Sequence, residues 1–279
     1  MWQLTAIELF KIFKKPRTYI AFAAIAAIVL LVQLALYKDG ETYLDFMMLS
    51  IKGSFIIEGN KINGYLVFYI ILQTLLMHVP LLISLVAGDM IAGEANMGTL
   101  RLITSKPISR THLMISKFMA TCIYTILLLT FMALIGLGGS LFLFGTSDLM
   151  VFKSDMLVLI DRNDVMWRYV LAYGFAAIAM FTVAALAFLF SVFADNSIGP
   201  IIAAMSVIIL FTILTTMDIP FFNQIKPFLF TNHMLNWKGF FDRPVDYGEV
   251  LKSTLVLVGH IVFFVSLAIY SFRKRDILS

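Results

Sequence analysis

Residues 169–193 read YVLAYGFAAIAMFTVAALAFLFSVF, without one charged side chain. An α-helix rises about 1.5 Å per residue, so a run of this length covers the roughly 30 Å of hydrocarbon in a bilayer. Working outward, five more apolar runs of similar length stand at 19–37, 66–87, 118–144, 198–217 and 251–272. None holds Asp, Glu, Lys or Arg in its interior, and Lys252 sits at an end where its stem can reach the interface. Only 14% of the chain is charged and 61% is hydrophobic, where a soluble domain carries about a quarter charged residues. The reading is an all-α, six-span polytopic membrane bundle forming one transmembrane domain over 1–279.

The net charge of +4 does not point to nucleic acid, because the cations collect at the ends of the spans. With the N-terminus in the cytoplasm, the inner segments carry eleven Lys/Arg against five acids, and the outer segments ten against twelve. Lys14, Lys15 and Arg17 precede the first span and Arg273, Lys274 and Arg275 follow the last. Both termini and the 88–117 segment are therefore expected on the cytoplasmic side of a plasma or inner membrane. Cys122 is alone and inside a span, so no intramolecular disulfide forms. The first apolar run is too long for a signal-peptide core and has no small-residue cleavage site after it, so it reads as a retained helix.

Before Pro16, Trp2, Ala6, Leu9, Phe10, Ile12 and Phe13 fall on one side of a helical projection, and Gln3, Glu8, Lys11, Lys14 and Lys15 on the other. That pattern predicts an N-terminal interfacial helix with its apolar face in lipid; Trp2 and the basic residues, with Lys117, would anchor at the interface. Three segments lie outside. Residues 37–65 are polar and glycine-rich; 145–168 carry Asp148, Asp155, Asp161 and Asp164 around an apolar run at 156–160; 218–249 contain Pro220, Pro227 and Pro244 among eight aromatics. In the last, prolines forbid one continuous helix and aromatics hold the chain near lipid, which predicts short interfacial or re-entrant helices before the final span. An aromatic belt explains the aromatics equally well. Ala176, Ala177, Ala179, Ala184, Ala185 and Ala187 in the fourth span permit close helix packing.

On the second span, Gln73, Thr74, His78, Ser84 and Gly88 occupy roughly 140° of arc. This stripe is a candidate translocation path, or a set of interhelical hydrogen bonds. His78 and His260 each lack a second ligand nearby in sequence, so no metal site is expected. There is no GxxxxGK[ST] phosphate loop and no HExxH, so no catalytic residues are assigned and any nucleotide energy must come from another chain.

The segment 88–117, GDMIAGEANMGTLRLITSKPISRTHLMISK, is the most informative polar stretch. Its Gly88-Asp89, Glu94, Gly98-Thr99-Leu100, Pro107-Ile108-Ser109-Arg110 and Lys117 together resemble the loop of permease subunits of type-2 ATP-binding-cassette exporters, also called type V ABC transporters. The resemblance extends to the N-terminal helix, the six spans, the region before the last span and the basic tail. It implies a coupling helix near residues 94–104 seated in a separate cytoplasmic ATPase subunit. Leu100, Leu102 and Ile103 would pack there and Glu94 and Arg101 would make polar contacts. Gly98, Thr99, Lys106, Pro107 and Arg110 belong to the same candidate coupling set. Pro107 would end the helix and Ser109 would cap the next. Arg110 and Lys117 have an alternative role as lipid-phosphate anchors.

By the same resemblance, ATP and Mg would bind two copies of the ATPase, the chain would pair with a second permease chain, identical or not, and transport would be export. An outer partner is one account of a 145–168 loop longer than in many relatives. Two rival readings stand beside it. A secondary transporter needs an intramembrane charge and usually an internal repeat; a membrane enzyme needs a titratable constellation, for which the Asp-rich outer loop is the candidate.

Overall fold

A computed structural model describes residues 1–47, 62–104, 107–152, 157–217 and 219–275. The helices are α1 (Trp2–Lys14), α2 (Pro16–Met47), α3 (Gly64–Ala87), α4 (Asp89–Asn96), α5 (Thr99–Thr104), α6 (Arg110–Ala133) and α7 (Gly139–Phe144). A hairpin, β1 (Leu149–Phe152) and β2 (Leu157–Ile160), precedes α8 (Arg162–Phe193), α9 (Ile198–Thr216), α10 (Pro220–Asn223), α11 (Phe230–Met234) and α12 (Tyr247–Lys274). Among the described residues, α2, α6 with α7, α8, α9 and α12 are each long and apolar enough to cross a membrane. The second predicted span is instead a bent pair, Gly64–Leu75 and His78–Ala87, at 53° to each other. Pro80 lies just beyond the bend, where a missing N–H and a ring clash weaken the helix.

The centre of the bundle is α8, whose most apolar stretch is 78% buried against 17–28% for the other membrane-length helices. Ala177, Ala179, Ala184, Ala185 and Ala187 are all buried there. Small side chains let α3, α6, α9 and α12 approach its backbone closely. Gly64 makes a similar approach: a Cβ on it would stand 2.6 Å from the Ser140 carbonyl oxygen.

A π turn, Leu134–Gly138, joins α6 to α7 within one rod. A π turn leaves carbonyls off the regular ladder, and buried Gln33 of α2 donates to the carbonyls of Ile135 and Gly136 and to Ser140 Oγ, each at 3.1 Å.

The chain is mostly helical, as an all-α membrane bundle requires, and the segment 145–168 adds a short hairpin to it. Leu149–Phe152 pairs antiparallel with Leu157–Ile160, and α8 starts at Arg162 rather than at residue 169. The aspartates read as loop residues are helix-start signals: Asp161 accepts from the Asn163 N–H at 2.8 Å, and Asp148 accepts from the Arg162 N–H at 3.0 Å. Such side chains satisfy donors that the first turn leaves open. Asp155 and Met156 lie outside the described residues, as do 48–61 of the 37–65 segment.

Short helices do occupy the segment before α12, with 3₁₀ turns at Lys226–Phe228 and Leu235–Phe241 alongside α10 and α11. Pro220 starts α10 and Pro227 lies in the first turn; Asp218 is outside the described residues. The aromatics divide into two populations. Phe221 and Phe228 are exposed, whereas Phe230, Trp237, Phe240 and Phe241 are buried in the bundle.

Candidate functional site

Residues 88–117 fold into α4, α5 and the start of α6 at one end of the bundle. Both termini reach that end: Lys15 meets Asp89, and Arg110 donates to carbonyls of α12's last turn, Arg273 at 3.1 Å and Arg275 at 2.9 Å. Arg110 thus supplies the C-terminal cap that open carbonyls require. Arg275 bonds the Val192 carbonyl and Asp195, Lys274 stacks over Tyr270, and Arg273 is exposed.

The N-terminal helix forms as expected, and both of its sides are divided between the bundle and the exterior: Leu9, Ile12 and Phe13 pack toward the core with Glu8. Thr5, Glu8 and Ile12 are its buried residues, while Trp2, Ile7 and Phe10 are exposed; Lys14 lies over the Phe10 ring. Glu8 and Lys11 stand on the polar side of the helical projection, and they face the bundle because their partners are on α4 and α6.

Those partners close a ring of alternating charge. Glu8 bonds Lys11 at 2.7 Å and Lys117 at 2.7 Å; Glu94 bonds Lys11 at 2.9 Å and stands 2.7 Å from Lys117. Lys117 is 1% exposed and Glu94 4%. Two carboxylates and two ammoniums sum to zero, which is what allows such a group to leave water. Burial by itself would raise the Glu94 carboxyl, but Lys117 and Lys11 outweigh it and hold Glu94 below its ordinary 4.5. For Lys11, burial lowers and the bonds to Glu8 and Glu94 raise, with a net rise above 10.5.

The signs define a pH window. The Glu94 contribution is full above 4.5 and disappears as pH falls through its depressed value; the Lys11 contribution is full below 10.5 and disappears above its raised value. Attachment of α1, followed by its hydrogen-exchange protection after correction for intrinsic rates, is expected to stay constant between about pH 5 and 9 and to weaken below about pH 4. A midpoint near neutrality would contradict this assignment.

A second acid anchors the start of α4. Asp89 pairs with Lys15 at 2.5 Å and Arg17 at 2.6 Å and accepts from the Ser197 hydroxyl. Gly88 brings no cap side chain, and Ser191 of α8 fills that need, its Oγ accepting the Ile91 and Ala92 N–H groups at 3.0 and 2.9 Å. So α4 is locked to α1, α6, α8 and α9, whereas the chain after it projects. Gly98 turns with φ 70°, which an L side chain resists. Met97 is 58% and Leu102 68% exposed beside it.

The predicted coupling residues therefore separate. Glu94 lies inside the ion ring and Leu100 is buried, while Thr99 donates to the Glu94 carbonyl at 3.3 Å. Leu102 and Pro107 are exposed. Ser109 occupies the N-cap of α6 without a side-chain capping bond. The side chains of Arg101 and Ile103 and all of Lys106 lie outside the described residues. Of the residues read as lipid anchors, Lys15, Arg17 and Lys117 are held by acids of the chain itself.

Among the described residues the stripe on α3 is divided between two surroundings. Gln73 and Thr74 border a pocket of about 90 Å³ with Tyr43, Tyr69 and Phe152. His78 is exposed and bonds the Thr74 carbonyl, and Ser84 is fully buried. Among the described residues no group of three or more His, Cys, Asp or Glu could hold a metal ion.

Several long apolar helices around a buried hub make this a polytopic helical membrane protein. The chain belongs to the family described as "Protein of unknown function (DUF2705)", whose pattern matches residues 23–278. It is also similar to the uncharacterized protein YhcI of Bacillus subtilis (strain 168), 25% identical over 201 residues. That match covers 69% of this chain and 63% of the relative, under two thirds of the relative's length.

The ion ring was the main site that sequence reasoning missed. Glu8, Lys11, Glu94 and Lys117 are spread over more than a hundred positions, and only the helical spacing of Glu8 with Lys11 hints at a shared partner.

Proposed function

We propose that the chain is the permease subunit of an ATP-driven transporter, an exporter, moving substrate with energy from a separate cytoplasmic ATPase and pairing with a second permease chain in the cell membrane. The observation that carries this reading is α5 with its approach. It is a short helix after the turn at Gly98 that buries Leu100 and displays Leu102, with Met97 exposed just before the turn, at the end that α1 and the last turn of α12 share. It stands in the segment whose Gly-Asp, Glu, Gly-Thr-Leu and Pro-x-Ser-Arg set resembles the ATPase-contacting loop of such permeases.

In this reading the contact surface is α5 with Met97, and α4 is the lever behind it. Glu94 and Asp89 transmit force to α1, α6 and α9 rather than touching the ATPase. Charged neighbours held by short ion pairs in a dry setting resist shear, so a push on α5 moves the helices together.

The test is whether a neighbouring gene encodes a phosphate-loop ATPase that co-purifies with this chain, followed by vanadate-sensitive hydrolysis by the pair in proteoliposomes. Leu102→Asp is expected to reduce co-purification of the ATPase at least tenfold, the loss of roughly 1.4 kcal/mol or more of contact energy. Gly98→Pro, which cannot hold φ 70° and removes the N–H that Gly98 donates to the Ala95 carbonyl, is expected to misplace α5 while the bundle stays folded, and to lower coupled hydrolysis. Unchanged assembly and hydrolysis in both variants, or transport by the permease alone driven by an ion gradient, would overturn the proposal.

A further inference from the structure

We propose that the groove between α3, α6 and α8 holds one acyl chain of an anionic phospholipid, with the headgroup at Arg162. The proposal does not depend on an ATPase partner. The groove measures about 320 Å³ and is walled by Phe68, Leu72, Leu129, Leu134, Ala176 and Met180, among others, with Trp237 also on its lining. Its hydroxyls are already engaged: Thr130 bonds Tyr173 at 2.7 Å, and Tyr169 donates to the Tyr65 carbonyl at 2.7 Å. Nothing in that wall requires a polar ligand, and burying hydrocarbon there is favourable by about 25 cal/mol per Å² of apolar surface.

Its shape and position fit a lipid tail. The lining runs from Met166 to Met180 on α8, about 21 Å at 1.5 Å per residue, and follows α3 from Phe68 past its bend to Val79. One leaflet of a roughly 30 Å core has a similar height. Leu134 and Val170 line the groove while being 69% and 63% exposed, so it is open to the side where hydrocarbon lies.

The π turn Leu134–Gly138 shapes one wall, since Leu134 and Leu137 both belong to it and to the lining.

One polar feature marks the headgroup end. Arg162, exposed at the start of α8, stands one turn before Met166 on the same helical face; its guanidinium suits a phosphate oxygen. The Trp237 indole N–H is itself closed off from the groove, so Trp237 contributes wall and not a polar contact.

Trp237 is also the reporter. In a Trp2→Phe, Trp167→Phe background, the full chain in phosphatidylcholine vesicles is titrated with phosphatidylglycerol bearing a dibrominated stearoyl chain, and Trp237 emission is followed. Saturable quenching is expected, with Ala176→Phe shifting half-quenching about tenfold higher in brominated lipid. Leu72→Phe narrows the groove from the opposite wall and is expected to act in the same direction if Ala176→Phe does not fold. Arg162→Gln is expected to shift the curve about fivefold for phosphatidylglycerol, one charge near a membrane surface, and not at all for brominated phosphatidylcholine. Quenching that rises linearly without saturation, or that is the same in parent and groove-filled chains, overturns the site. Equal curves for the two headgroups, unmoved by Arg162→Gln, overturn the anionic assignment.

Discussion

Lys117→Met is expected to destabilise the chain by about 3–5 kcal/mol, because it removes one ammonium from between two buried carboxylates. Glu8 and Glu94 each lose a partner, and Lys11 alone cannot neutralise both. Desolvated charge without compensation carries the cost of burial and none of the attraction. A melting midpoint lower by roughly 10 °C in detergent follows for a chain of this size.

The damage should be local first. Hydrogen exchange is expected to rise in α1, whose Glu8 and Lys11 would no longer be held, and in α4 around Glu94, while the core of α8 stays protected. Glu8→Gln added to Lys117→Met restores neutrality, leaving the Glu94–Lys11 pair, and is expected to recover a substantial part of the loss. An unchanged midpoint in the single variant, or a double variant worse than the single, would show that the ring does not hold α1 in place.

Arg168→Met is expected to cost about 3 kcal/mol or more. Arg168 is 6% exposed and donates to the Phe240 carbonyl at 2.7 Å and the Asp242 carbonyl at 2.9 Å, while Asp164 accepts from it at 2.8 Å. Each bond from a charged donor contributes about 1.5–3 kcal/mol, and the carbonyls left behind are screened from water by Phe240 and Phe241. The 3₁₀ turn Leu235–Phe241 should loosen from α8, read as new proteolytic cleavage or faster exchange at 235–241. Since Trp237 lies in that turn and lines the groove, its emission should also shift to the red. Loss of stability with no change in that segment would place the role of Arg168 elsewhere.

Much of the helical framework was legible because the signal is periodic and local. Residues 169–193 are apolar around their whole circumference, and α8 is buried around most of its own; an uncharged run of that length has few other solutions in a bilayer. The break at Pro16 was also readable, since a proline disfavours helix in the residue before it and starts the next helix well. Pro220 and Pro227 likewise announced short, interrupted helices.

The β hairpin was not legible. Its strands are four residues each, too short for alternation to stand out from an apolar loop. Pro80 marked the second span for a kink, and the bend lies just before it, between Leu75 and His78; the π turn at Leu134 was not legible, because it depends on what packs beside the helix, Gln33 among others.

The inward partners of α1 are the most instructive feature that the sequence left open. Amphipathicity says that a helix has two faces; it does not say which faces the protein. In water the apolar face turns inward, but at a membrane both lipid and protein accept apolar side chains, and the decision passes to the charges. Glu8 and Lys11 face inward because Lys117 and Glu94 await them there. The amino-acid order alone determined that this chain is a bundle of membrane helices with one conspicuous polar loop, since hydrocarbon burial and backbone hydrogen bonding are settled within each segment. Tertiary structure decided which of that loop's residues are locked inside and which project, because ion pairs between residues a hundred positions apart exist only once the helices have met.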